Sequence, residues 1–274
     1  MNESAVAEHY SDTDLLVRIF KALEASGANI DHLQPDDLAP VEEFHIGGRE
    51  ATTHALSKLS LSAKSHVLDV GCGIGGAARY LAANVGCRVS GIDLTPEYID
   101  VARTLTDRTG LGDKTTFKVA SALAMPFEAE TFDAAITFHV AMNIEDRSTL
   151  YSEIARVMKP DASLCIYDVM KKSETPLTYP VPWAQSADTS HLTTPAEMLK
   201  LLNAAGFEAH DVEDRTNFAV DFFQQSLAAI ADGPPPLGIH LLMGASAPEK
   251  FKNTLNNIQR GCIAPVQMIA MRRA

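Results

Sequence analysis

Residues 67–76 read VLDVGCGIGG. Val67, Leu68 and Val70 have the apolar character of a buried strand, and four glycines follow within six residues. Glycine suits a backbone that turns tightly and must approach a ligand with no Cβ in between. The next residues, AARYLAANV, open a helix whose unpaired N–H groups and positive dipole end face the loop. Twenty residues after Gly73 a second apolar strand, VSGID, ends in Asp93. A carboxylate at that distance is placed to accept hydrogen bonds from ribose hydroxyls. The stretch therefore predicts a strand–loop–helix unit that holds an adenosine-type ligand.

Gly71, Gly73 and Gly76 also satisfy the dinucleotide pattern GxGxxG, so the residues around them must discriminate. Asp69, two residues before the first glycine, would repel a pyrophosphate but suits the ammonium of a bound amino acid. The motif also begins after a long lead-in rather than at the N-terminus. The order of the segments points the same way. VLDVGCGIGG, GIDLTPEYIDVAR, ASALAMPF, FDAAITFHVAMNI and ARVMKPDASLCIYDV resemble the successive motifs of class I S-adenosylmethionine (SAM) methyltransferases over about residues 45–170. An NAD(P) oxidoreductase and a non-catalytic SAM-binding protein are the more distant alternatives.

The resemblance implies a fold, a cofactor and site residues. The fold is an α/β Rossmann-like doubly wound sheet of seven strands, mostly parallel with an antiparallel last strand, plus a helical lid. The cofactor is SAM, with S-adenosylhomocysteine as product. Gly71, Gly73 and Gly75 let the loop pass under the methionine and ribose, and Cys72 fits within that loop as a small side chain. Asp69 orients the methionine end, Asp93 takes the ribose hydroxyls, and Leu94 packs on the adenine. ASALAMPF departs from the family's usual GDALxLPF, so Ser121 stands where an aspartate commonly meets the adenine amino group, while the Ala122 N–H still faces the ring.

His139, after the fourth predicted strand in TFHVAMNIED, is the candidate base. His45, in EFHIGGRE, is the second catalytic candidate, because similar segments line the pocket of sarcosine and dimethylglycine N-methyltransferases. Among subfamilies the chain looks closest to those enzymes and the ubiquinone/menaquinone methyltransferase-like group. Tyr10, Trp183 and Phe222 are candidate aromatic walls, with plain core packing as the competing reading. The expected acceptor is a small molecule carrying an amine nitrogen. The alternative is carbon or oxygen methylation of a quinone or aromatic ring.

Outside the core, residues 11–27 read as a helix capped by Ser11 or Asp12, with Leu15, Leu16, Ile19, Phe20 and Leu23 on one face and Gly27 at its end. Residues 28–43 read as a connector, and a helix over about 50–59 leads to the first strand. Residues 1–60 thus form a helical lid and lead-in, and 61–274 the core, with inserts at about 171–193 and 217–262. Core strands are expected at 66–70, 88–93, 115–120, 132–138 and 163–169, with helices at 76–85, 96–109 and 147–158. Thr95 is expected to cap the second of these helices. Thr194-Pro195-Ala196-Glu197 is a capping box, FEAHDVED the sixth strand and APVQMIAMRR the seventh.

Composition sets limits. With 274 residues, 46% hydrophobic and 21% charged, the chain can bury a full core. A net charge of −12 disfavours nucleic acid as partner, since phosphate binding relies on clustered Lys and Arg. No signal core and no run of about 18 apolar residues is present, so no membrane insertion is expected. The four cysteines, Cys72, Cys87, Cys165 and Cys262, have no metal spacing and read as free thiols of a cytoplasmic protein. No metal is expected, and a homodimer is left open.

Overall fold

The computed structural model describes residues 3–10, 14–229, 233 and 235–274, without the side chains of 4–6 and 8. Before the first strand come α1 (Glu3–Tyr10), α2 (Leu15–Ala25), α3 (Pro35–Glu42) and α4 (Gly48–Ser57). Strands and helices then alternate: β1 (His66–Val70), α5 (Gly76–Asn84), β2 (Arg88–Asp93), α6 (Pro96–Arg108) and β3 (Thr115–Val119). β4 (Phe132–Phe138), α7 (Arg147–Val157) and β5 (Met158–Lys171) complete the alternation. The remainder supplies α8 (Pro195–Ala204), β6 (Phe207–Asp214), α9 (Thr216–Ala229), the single turn α10 (His240–Met243), α11 (Ala247–Gln259) and β7 (Ile263–Arg272).

The strands form one seven-stranded sheet in the order β3-β2-β1-β4-β5-β7-β6. β1 to β5 pair in parallel, and β7 runs antiparallel between β5 and β6. Helices cover both faces, so β1, β4 and β5 are apolar on both sides, whereas the edge strand β6 alternates buried and exposed residues. Strand order reverses at β1, with β2 on one side and β4 on the other. The carboxyl ends of β1 and β4 therefore flank the switch point at which such sheets bind ligands. No helix among the described residues is long and apolar enough to cross a membrane.

The lead-in departs from the sequence reading. α2 begins at Leu15, and Ser11 and Asp12 lie outside the described residues. The helix ends as expected at Gly27, whose φ of +84° lets the Ala28 N–H reach the Leu23 carbonyl at 3.0 Å. The connector contains α3, which the sequence reading missed. α3 contains Pro40, which in a helix two turns long costs one internal hydrogen bond. Thr95 sits at the cap position of α6 without a side-chain cap bond; its N–H instead donates to Asp93 Oδ1 at 2.9 Å. β5 begins at Met158 rather than at the expected 163, and the residues before Ser163 are accommodated by a register shift opposite Phe132 and Ala134.

Packing fixes where these elements lie. Leu15, Ile19 and Leu23 of α2, with Leu38 and Val41 of α3, are buried against Ile74 of the glycine loop and Tyr98, Val101 and Leu105 of α6. Each such aliphatic side chain contributes roughly 1.5–3 kcal/mol when fully buried. A separate apolar cluster joins Val181 and Trp183 of the 171–193 insert to Ala219 and Phe223 of α9, Ile258 of α11 and Ile46. The two inserts are thus one structure, and the HIG segment is part of it.

Candidate active site

β1 brings Asp69 to the switch point. Its carboxyl is buried, and Oδ2 has no hydrogen-bond partner. Burial, then the charges of Asp93 and Glu43, push its pKa up to about 7. Gly71 follows with φ +71°, and a Cβ there would stand 2.4 Å from Val140 Cγ2, so only glycine lets the loop after β1 touch the loop after β4. At Gly73, φ +52°, a Cβ would meet nothing within 4 Å, because that side of the backbone is open. Asp93 Oδ2 accepts the Gly73 N–H at 3.0 Å while Oδ1 accepts the Thr95 N–H. Each oxygen keeps a lone pair for a hydroxyl donor. Burial raises this carboxyl too.

These groups line a cavity of about 1010 Å³, its mouth included. Asp69, Gly71, Cys72, Gly73, Asp93, Leu94, Ala122, His45 and His139 all face it. Gly75 and Ser121 do not line it. Gly75 is the left-handed residue before α5, packed against Arg79 and Phe117. The Ser121 hydroxyl donates to Glu3 Oε1 at 2.5 Å and accepts from the Leu123 N–H, which ties α1 to the loop after β3. Burial lifts the Cys72 thiol well above its ordinary value, so it is held neutral and unreactive.

The cavity wall is acidic. Glu42, Glu43, Asp69 and Asp93 line it, and no lysine or arginine does among the described residues. Glu42 is offset from behind by Arg79 at 2.5 Å and Arg49 at 2.7 Å, and Glu43 by Arg49 at 2.8 Å. Asp69 and Asp93 are left facing the space. Such a wall attracts a cation and repels a pyrophosphate, which disfavours the dinucleotide alternative.

A second cavity of about 340 Å³, the open solvent at its mouth included, shares Phe44, His45 and His139 with the first. Its other walls are Ile46, Pro182, Trp183, Phe222, Phe223, Ile239, Phe251 and Thr254. Trp183 and Phe222 thus lie together here, whereas Tyr10 lines the first cavity. At the junction, His139 leaves β4 with φ +55°, a conformation that costs roughly 1–3 kcal/mol in a non-glycine residue. Its N–H donates to the Tyr167 carbonyl at 2.7 Å, and its ring lies 5.1 Å from the Tyr167 ring and 5.9 Å from that of His45. Nε2 is buried with no hydrogen-bond partner. Burial, with a smaller contribution from His45, holds the imidazole well below its ordinary pKa and therefore neutral.

His45 is held by its neighbours. Thr52 donates its hydroxyl proton to Glu43 Oε2 at 2.6 Å, and His45 Nε2 lies 3.0 Å from the same hydroxyl, while the ring also bonds the Gly48 backbone. Burial lowers its pKa to about 4. Tyr167 adds a bond from its hydroxyl to the Ile46 carbonyl at 3.0 Å, fixing the HIG segment to β5.

Several residues here escaped the sequence reading. Glu42, Glu43 and Phe44 sat in the supposed connector, and Thr52 looked like an ordinary helix residue. Arg79 carried a usable signal, as the one cation in the apolar run AARYLAAN. It is fully buried and also bonds the carbonyls of Ile74 and Ala102.

Comparison with known proteins agrees with this geometry. Residues 68–166 match the methyltransferase-domain family. The chain is 32% identical over 136 residues to methyltransferase GfsG of Streptomyces halstedii, covering 50% of this chain and 48% of that protein. Residues 68–166 are thus a methyltransferase domain, and over that stretch the chain is similar to class I SAM-dependent methyltransferases. It is 26% identical over 199 residues to O-methyltransferase resE of Aspergillus sclerotiorum, covering 71% and 75%. The fold matches phosphoethanolamine N-methyltransferase 2 of Haemonchus contortus in complex with SAM, with TM-score 0.74, 20% identity and coverage of 98% and 60%. The match thus spans about half the length of the Streptomyces relative. Relatives named as O-, C- and N-methyltransferases all match this methyltransferase, so kinship does not fix the acceptor atom. The first cavity fits SAM, the family's cofactor: an orphaned buried carboxylate at Asp69 and an acidic wall suit its ammonium and sulfonium, and Asp93 suits its ribose.

Proposed function

We propose that this methyltransferase moves a methyl group from SAM to an apolar small molecule, with cofactor and acceptor in the two cavities that meet at His45 and His139. The observation that carries the reading is that junction: an acidic cavity at the switch point and an aromatic one share Phe44, His45 and His139 as walls. When bound, SAM supplies an electrophilic methyl group on a positively charged sulfur. Asp69 and Asp93 hold the methionine and ribose ends, Leu94 covers the base, and Gly73 lets the ligand lie against backbone. α1 and α3, which supply Tyr10 and Glu42 to the wall, narrow the mouth, which helps exclude water and keep the acceptor at near-attack distance.

The acceptor cavity contains no carboxylate and no lysine or arginine among the described residues. This favours the aromatic or quinone-like alternative with carbon or oxygen as acceptor over the amine expected from the HIG segment, since a cationic amine would lose its hydration there without a counter-charge. Four buried free thiols support a reducing compartment such as the cytoplasm. Calorimetry with SAM, S-adenosylhomocysteine and NADH tests the reading. Binding of the first two and not the third is expected, and tight NADH binding without SAM binding would overturn it.

A further inference from the structure

We infer that the acceptor is a neutral phenol-type molecule, its aryl ring in the aromatic cavity and its hydroxyl against His139 Nε2, which takes its proton as the methyl group transfers. The inference rests on the two-cavity reading above and narrows it.

Three observations lead there. The walls of the second cavity are aromatic and aliphatic, with Thr254 as their remaining polar member, and the Thr254 hydroxyl is spent on the Lys250 carbonyl at 2.7 Å. A ligand there is bound by apolar and ring contacts, which select a flat, uncharged molecule. His139, which lines both cavities, has its Nε2 buried and unpartnered. A buried polar atom without a partner is costly, and a hydroxyl at that point satisfies it while a hydrocarbon leaves it orphaned. Third, His45 Nε2 is engaged by the Thr52 hydroxyl at 3.0 Å and its ring also bonds the Gly48 backbone, which leaves His139 Nε2 as the ring nitrogen at the junction without a protein partner.

The step balances on these groups. The acceptor O–H bond breaks and its proton goes to Nε2. An oxygen lone pair forms the bond to the methyl carbon, while the carbon–sulfur bond breaks with its electron pair staying on sulfur. One positive charge enters on sulfur and ends on the imidazole, so the net charge of the joined cavities is unchanged. The depressed pKa of His139 serves both ends of the cycle. The neutral base is fully populated at neutral pH, and the imidazolium readily gives up its proton once the site opens.

The protein carries a built-in reporter, because Trp183 is its single tryptophan and lines the acceptor cavity. 4-Nitrophenol is titrated into protein saturated with S-adenosylhomocysteine while tryptophan fluorescence and the yellow phenolate band are followed. Saturable quenching is expected, lost in Trp183→Phe, with the bound phenol colourless because burial keeps it neutral. Sarcosine, the zwitterionic amine, is expected not to compete.

Methyl transfer to 2-naphthol, a more electron-rich phenol, then tests the base. His139→Asn keeps a residue at ease at positive φ but removes the basic nitrogen. It is expected to lower kcat by about 10²–10⁴ while changing phenol affinity by less than about tenfold. Unquenched Trp183, competition by sarcosine, bound phenols that are never methylated, or a His139→Asn enzyme within a few-fold of wild type would each overturn the inference and leave the two-cavity reading standing. Failure of S-adenosylhomocysteine itself to bind would overturn both.

Discussion

The two cavities of this protein are built on opposite principles. The cofactor cavity is made by backbone and carboxylates at the ends of β1 and β2, and its wall is acidic. The second cavity, the proposed acceptor site, is made by side chains of two inserts and the HIG segment, and its wall is aromatic. One binds by charge and by the close approach that glycine permits, the other by apolar area. The difference teaches that the cofactor site follows from the sheet, while the acceptor site depends on what is laid over it.

If the cavities are separable in this way, damage to one should leave the other readable. The largest effect is expected at Arg79, which is fully buried and holds Glu42 of α3 against the glycine loop. Arg79→Met leaves that carboxylate buried without its main partner and should lower stability by roughly 3–5 kcal/mol, seen in urea unfolding. Asp93→Ala should weaken S-adenosylhomocysteine by roughly 1.5–3 kcal/mol by calorimetry, through lost charge-assisted hydrogen bonds. An equal loss of phenol affinity in that variant would break the separation.

A smaller effect belongs to pH. Asp69 titrates near 7 in the free protein, and a bound cation favours its ionised form. Ionisation rises with pH through 7, so SAM affinity should increase about tenfold between about pH 6 and 8, with proton release on binding. Asp69→Asn should flatten that profile, and a flat profile in the wild type would remove Asp69 from contact with the cation. The smallest change is expected for Trp183→Phe, which loses the indole bond to Ser190 Oγ at 2.9 Å. Stability should fall by roughly 0.5–1.5 kcal/mol with cofactor affinity unchanged.

Legibility in the sequence divides along the same line. β1, β2 and the glycine loop could be read because strand pattern, glycine spacing and Asp93 are local features, fixed by backbone geometry over a few dozen residues. Ser121 was misplaced because its hydroxyl is claimed by Glu3, more than a hundred residues away. Trp183 and Phe222 were candidates without a location until the inserts packed together. α3 was read as connector because its turn formers and isolated apolar residues show no helical face until Leu38 and Val41 are buried.

By itself the sequence determined the alternation of strands and helices and the glycine loop after the first strand, with Asp69 and Asp93 at the strand ends beside it, since each follows from periodicity and short spacing. Only the tertiary structure decided that Glu42 and Glu43 wall the cofactor site, that His45 and His139 stand side by side, and that the acceptor space is aromatic. Those facts come from contacts between segments far apart in the chain. Burial and long-range packing set the charge of a carboxyl or an imidazole there, and no local pattern encodes them.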